Sequence, residues 1–164
     1  MIEIEKSLSA DSRTAKGDID KETLLKSTQQ HIADVGKACD FFANMLKEAA
    51  KKHDWSKLEL IDEFHHDFVD SQNGKDFKKG TWFPKHIKER HHLNDNCPDD
   101  VTLIDVLERI SDIVMAGMAR SGVVYDDTLS SDILQKAFKN TVELLKKEIK
   151  VVDNGDIFNT PIEK

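Results

Sequence analysis

Leu24, Leu25, Ile32, Val35, Ala38, Phe42, Met45, Leu46 and Ala49 recur at steps of three and four, with no proline between them. That spacing draws one apolar stripe along an α-helix and does not fit the two-residue alternation of a half-buried strand. Gly36 inside the run costs about 1 kcal/mol against alanine without stopping a helix. Lys47, Lys51 and Lys52 suit the negative pole at its end. The run Leu103, Ile104, Val106, Leu107, Ile110, Ile113, Val114, Met115, Met118 is the most apolar and predicts a central helix ended by Ser121-Gly122. Ser130 and Ser131 precede a last amphipathic run from Ile133 to Ile149. Between these lie two shorter helices. One spans 57–70, with Ser56 and Glu59 as a capping box, and one spans Pro84–His92, with proline in its first turn. Segments 71–80 and 94–100 read as loops.

Only 7 Gly and 3 Pro in 164 residues argue against a β-meander with many turns. The expected fold class is all-α: one domain of about five or six helices over residues 21–150. A loosely ordered segment, 1–20, precedes it, with room for an edge strand at Ile2–Ile4, and a tail, 151–164, follows. The two cysteines, Cys39 and Cys97, make no disulfide framework; both read as reduced, Cys39 as a small buried residue. No apolar stretch approaches the ~18 residues that span a bilayer, and Met1–Lys6 lacks a signal-peptide pattern. The expectation is a cytoplasmic protein with no membrane partner; assembly into a homo-oligomer is left open. The net charge of −7, without a basic stripe carrying interleaved aromatics, argues against duplex nucleic acid. Small phosphorylated substrates remain, because a bound metal ion inverts the local field.

The residues that carry chemistry are seven histidines and a few acids. His53-Asp54 follows the first helical run and precedes Ser56, so the pair falls at a helix end, where adjacent side chains can serve one site. His31 lies 22 residues earlier, inside the same run. Asp112 lies between Ile110 and Ile113, where a lone buried carboxylate is costly unless paired or bound to metal. Asp105 and Glu108 compete with it on the same helix. His86, His91 and His92 follow, and His86 and His91 can share a site only if their helix breaks between them. His65 shares an apolar face with Ile61 and Phe68, and His66 reads as solvent-facing. Imidazole and carboxylate ligands suit Mn, Fe, Ni, Co or Zn, and Mg through the carboxylates.

The order His31, His53-Asp54 with Lys57, and Asp112 resembles the HD-domain metal-dependent phosphohydrolase superfamily. His-Asp-x-Ser-Lys followed by Trp82, His86 and His91-His92 is similar to small phage and bacterial HD-type proteins. The resemblance implies a helical core holding one or two divalent ions on His31, His53, Asp54 and Asp112, with His86, His91 and His92 at a second centre. It implies hydrolysis of a small phosphoester, a nucleotide being the expected class, by metal-activated water. Asp54 and Lys57 would be catalytic, and Lys57, Arg90 and Arg120 would face the phosphate. Glu59, Glu63 and Glu89 are the candidates for the acid that protonates the leaving group. No Gly-Tyr-Pro follows His91-His92, which argues against a cyclic-dinucleotide phosphodiesterase. Two rival readings stand beside this one: an HD-type di-iron oxygenase, and a non-catalytic helical module that binds metal or a protein partner.

Overall fold

The computed structural model describes residues 1–6 and 19–152; much of the 1–20 lead-in and most of the 151–164 tail lie outside the described residues. The described residues are all-α apart from one two-stranded sheet. It divides into two compact units, Met1–Phe42 with Glu143–Lys164, and Ala43–Val142. Strand β1 is Ile2–Glu5 and β2 is Ile149–Val152; the helices are α1 Lys21–Lys52, α2 Trp55–Glu59, α3 Ile61–Gln72, α4 Phe83–His86, α5 Leu103–Ser121 and α6 Ser131–Glu148.

In the first unit β1 and β2 pair in parallel, from Ile2 against Ile149 to Glu5 against Val152. Ile2 and Ile4 turn to the half-buried face, Glu3 and Glu5 to solvent, as period-two alternation requires. The lead-in and the start of the tail therefore meet. The last helix stops at Glu148, because β-branched Ile149, Val151 and Val152 favour extended backbone and find a strand to pair with. Asp20 caps α1 by accepting the Thr23 N–H at 2.7 Å. Gln30 and Lys37 of α1 donate to the carbonyls of Glu5 and Glu3, each at 2.9 Å. Cys39, expected to be buried, is exposed on α1; periodicity identifies a face without supplying a neighbour to cover it.

In the second unit Leu93, Val101, Val106 and Ala137 form a buried core, with Cys97, Leu103, Leu129 and Ile133 packed around it. Here α5 meets α6, and the Leu93–Val101 loop closes over the contact. The Thr141 hydroxyl accepts the Leu103 N–H at 2.8 Å, and the Asn140 amide donates to the Val101 carbonyl at 2.9 Å. Asp105 caps α5, accepting the Thr102 N–H at 2.6 Å, and Gly122 at φ 73° ends it. α5 is not sheathed on all sides, however: Leu107, Ile110, Met115 and Met118 are exposed.

Two expected helices are shorter than their spacing suggests. The 57–70 segment is broken at Leu60 (φ −113°, ψ 36°) into α2 and α3. Ser56 is not an N-cap but a buried residue inside α2. The Pro84–His92 helix is a single turn, Phe83–His86. Its chain then leaves the helix, which supplies the break that His86 and His91 need to share a site.

Candidate metal centre

The centre lies wholly within the second unit. His53 and Asp54 follow the last turn of α1; among described residues Asp54 is the non-glycine with positive φ, at 55°. Aspartate tolerates the left-handed region better than most residues, and such backbone recurs at functional sites. The Asp54 side chain makes no cap to α2. Its Oδ2 instead pairs with the Lys57 ammonium and lies 3.5 Å from His53 Nε2. Its Oδ1 lies 3.7 Å from His91 Nε2 and 3.8 Å from His86 Nε2. Asp112 Oδ1, from α5, stands 3.6 Å from His53 Nε2.

Among the described residues, three groups place ligand atoms within reach of one ion: His53, His91 and Asp112; Asp54, His91 and His92; Asp54, His86 and Glu89. Ligands bound at 2.0–2.2 Å stand roughly 3–3.5 Å from one another around one ion, close to the separations found here. The 2.9 Å between His86 Nε2 and His92 Nε2 is that of two ligands at right angles.

The outer nitrogens of His53 and His86 are each held by a carboxylate. Glu108 Oε1 lies 3.0 Å from His53 Nδ1, and Glu89 Oε1 lies 3.1 Å from His86 Nδ1. Burial acts to raise the Glu108 carboxyl, but the imidazoles of His91 and His53 beside it prevail and hold it below the ordinary range. It is therefore ionised at neutral pH, which puts the His53 proton on Nδ1 and leaves Nε2 free to ligate. Glu89 is held in turn, accepting the Ser56 hydroxyl at 2.5 Å and the Ser56 N–H at 3.2 Å. Burial opposes ionisation of Asp54 as well, and Lys57, His53 and His86 outweigh it, so its carboxyl is also lowered. Burial depresses His86 despite Glu89, and burial with neighbouring His91 and His86 brings His92 to about 4. Both imidazoles are neutral at pH 7, the form that binds metal.

The fit to a cation rests on what is unpaired. Among the described residues, the buried side-chain atoms with no hydrogen-bond partner are Asp54 Oδ1, Glu89 Oε2 and both ring nitrogens of His91. His91 is 2% exposed, and its Nδ1 passes 3.3 Å from Glu108 Oε1 without the alignment of a hydrogen bond. Buried polar atoms without partners are rare and costly, and here all of them border one ligand set.

No family model, curated protein or solved structure matches this chain.

The other sequence-derived candidates are placed as follows. His31 is exposed on the part of α1 that belongs to the first unit, while the three ligand groups are formed within the second. Arg90 is committed elsewhere: its guanidinium grips Asp105 at 2.6 and 2.9 Å and Asp100 at 3.0 Å, pinning the 94–100 loop to the start of α5. Those pairs take its donors away from a substrate. Arg120 is exposed in the last turn of α5. His65 and His66 are both exposed. Of the candidate acids, Glu63 pairs with Lys85 at 2.5 Å, Glu59 is exposed at the end of α2, and Glu89 is the orienting group of His86. Glu108 and Asp112, competitors for one role in the sequence, both reach His53: four residues apart they share a helix face, Glu108 against Nδ1 and Asp112 facing Nε2. Ser56 carried no signal of its place, since a serine after Asp54 reads first as a cap.

No helix among the described residues is long and apolar enough to cross a membrane.

Proposed function

We propose that this chain is a metal-dependent phosphohydrolase acting on a small phosphoester, nucleotides being the class the sequence resemblance suggests. The observation that carries the reading is the meeting of Asp54 Oδ1 and His91, buried and unpaired, inside a set of imidazoles and carboxylates. His53, Asp54, His86, His91, His92 and Asp112 would hold one or two divalent ions. When bound, such an ion polarises a phosphoryl oxygen and lowers the pKa of water.

The chain's own residues do the rest. Glu108 and Glu89 fix the ring orientation and protonation of His53 and His86, so the ligand set needs little rearrangement. The left-handed turn at Asp54 spreads its two oxygens toward different imidazoles. Lys57, one turn along α2, places its ammonium beside that carboxylate and at the edge of an adjoining cavity. There it can balance charge on the non-bridging oxygens of a phosphoester as a point charge.

The test is phosphate release from a panel of nucleotides and simple phosphoesters, with Mg, Mn, Co, Ni, Zn or Fe added to chelator-treated protein. Turnover that needs a metal and is lost in Asp54→Ala supports the proposal. Failure with every metal, accompanied by dioxygen uptake in the iron-loaded protein, would move the reading to an oxygenase.

A further inference from the structure

A cavity of about 430 Å³ opens beside the ligand set, and most of its wall is aromatic: Phe64, Phe68, Phe77, Trp82 and Phe83. Its volume lies in the range that holds a small organic ligand. The wall is prearranged. Trp82 lies 4.2 Å from the Phe64 ring and stacks on His86 at 4.3 Å, while Phe77 meets Phe83 edge-on at 5.8 Å. The indole N–H is occupied by the Ser56 carbonyl at 3.0 Å, and the Trp82 backbone N–H by Asp67 at 2.7 Å. Ser71, the hydroxyl on this wall, donates to the Phe68 carbonyl at 2.7 Å. The outer wall therefore offers ring faces with few uncommitted hydrogen-bonding groups. Phe68 is 52% exposed although it lines a concave surface, which core packing does not require.

The inner end differs. Lys57, His86 and His92 belong both to this cavity and to the surroundings of Asp54. The Lys57 ammonium, two neutral imidazoles able to hold an ion and a flat apolar wall are thus continuous within one cavity. A ligand spanning it must carry an anionic head and a planar, weakly polar body. We infer that the site takes phosphomonoesters whose organic group is an aromatic ring, held by stacking and not read through hydrogen bonds at its edge. This rests on the phosphohydrolase reading for the head group, and on the aromatic wall alone for the body. Stacking is tolerant of ring identity, because every flat π-system offers a face.

The experiment compares 1-naphthyl phosphate with glycerol 3-phosphate in the Mn-loaded full chain, and separately measures binding of fluorescent 1-naphthylphosphonate. The naphthyl ester should exceed the glycerol ester in kcat/KM by about tenfold or more, the scale of one stacking contact. Phe68→Ala should lower that ratio by about tenfold through KM and weaken phosphonate binding, whereas Phe68→Trp should restore both. Equal use of the two esters, or a Phe68→Ala effect of the same size on each, overturns the inference. If the wider panel of phosphoesters is turned over but neither of these esters is, the inference is overturned; if nothing in the panel is hydrolysed with any of its metals, the phosphohydrolase reading fails. The wall assignment is then decided by the phosphonate: binding that Phe68→Ala weakens sustains an aromatic-anion site, and absence of binding overturns it.

Discussion

His91 Nε2 stands 3.7 Å from Asp54 Oδ1, and neither atom has a hydrogen-bond partner. A bridging water can satisfy both, but a cation satisfies both and draws in a nitrogen of His92 as a third ligand. The energetic consequence is direct. The folded chain carries the desolvation of these groups, and metal binding returns it as stability.

Metal addition should therefore raise the melting temperature of the wild-type chain, and a chelator should reverse the shift. A ligand at 100 times its Kd stabilises by about 2.7 kcal/mol per site. His91→Ala should abolish most of the shift while folding without metal, since it removes a buried imidazole that has no partner. Thermal unfolding with and without Mn or Zn checks this; an unchanged shift in His91→Ala would remove His91 from the ligand set.

Asp54 belongs to two of the three ligand groups, as does His91. Two neighbouring ions can share them, so elemental analysis of gently purified protein should give two ions per chain. Asp54→Ala should lose both, with at least about 100-fold lower turnover, the scale of one deleted transition-state contact. A single ion, unaffected when His86, His91 and His92 are all changed to Ala, would reduce the centre to one.

Lys57 pairs with the same Asp54 oxygen that faces His53. An ammonium there neutralises a carboxylate that the metal also needs. Lys57→Met should leave metal affinity equal or higher, because a competing cation is gone, while turnover falls with the lost phosphate contact. Metal titration by calorimetry and phosphate release separate the two effects. Weaker metal binding in Lys57→Met would mean that the lysine supports the ligand geometry.

What could be read from the chain followed the range of the forces involved. Helix periodicity is local, and α1, α5 and α6 appear where the apolar steps place them. The His53-Asp54 helix end was legible because lysines before it and a serine after it mark a boundary. Leu60 and Ile87 break their helices for tertiary reasons: the chain turns to bury Ser56, His86 and Glu89 against one another. Nothing local announces that. Arg90 looked like a phosphate ligand because its two acidic partners, Asp100 and Asp105, lie ten and fifteen residues away. The sheet was half legible: Ile2–Ile4 alternates, but its partner Ile149–Val152 is 147 residues further on.

Gly80 should be intolerant of alanine for want of space. A Cβ built there would sit 2.0 Å from Asp67 Oδ2, the carboxylate that accepts the Trp82 N–H. Overpacking of this kind costs about 1–3 kcal/mol, and displacing Asp67 also frees the Trp82 wall. Burial acts to raise the Asp67 carboxyl, but the N–H groups of Trp82 and Thr81 prevail and hold it below the usual range. Its contribution is thus fully present above about pH 4 and is lost as pH falls through the lowered value. The stability difference between wild type and Asp67→Asn should shrink on acidification from pH 7 to 3. A constant difference would show that the charge does not matter to the Trp82 contact.

Glu108 and Asp112 sit on one face of α5 and flank the two nitrogens of His53, at 3.0 and 3.6 Å. If Glu108 orients and Asp112 ligates, their amide variants should differ in kind. Glu108→Gln keeps an acceptor for the Nδ1 proton but removes the charge that fixes it. Metal affinity should fall by about 10–100-fold, the usual cost of losing such a partner. Asp112→Asn keeps shape yet replaces an anionic ligand with a weak neutral one, so affinity should fall further. Nitrogen-resolved NMR of the His53 ring offers a readout independent of activity. In metal-free protein Glu108→Gln should shift the tautomer populations, because the charged acceptor selects the Nδ1–H form, whereas Asp112→Asn should leave Nδ1 protonated. If both variants moved the tautomer alike, the division of labour between the two acids would be wrong, and Glu108 would have to be counted among the groups that face the ion.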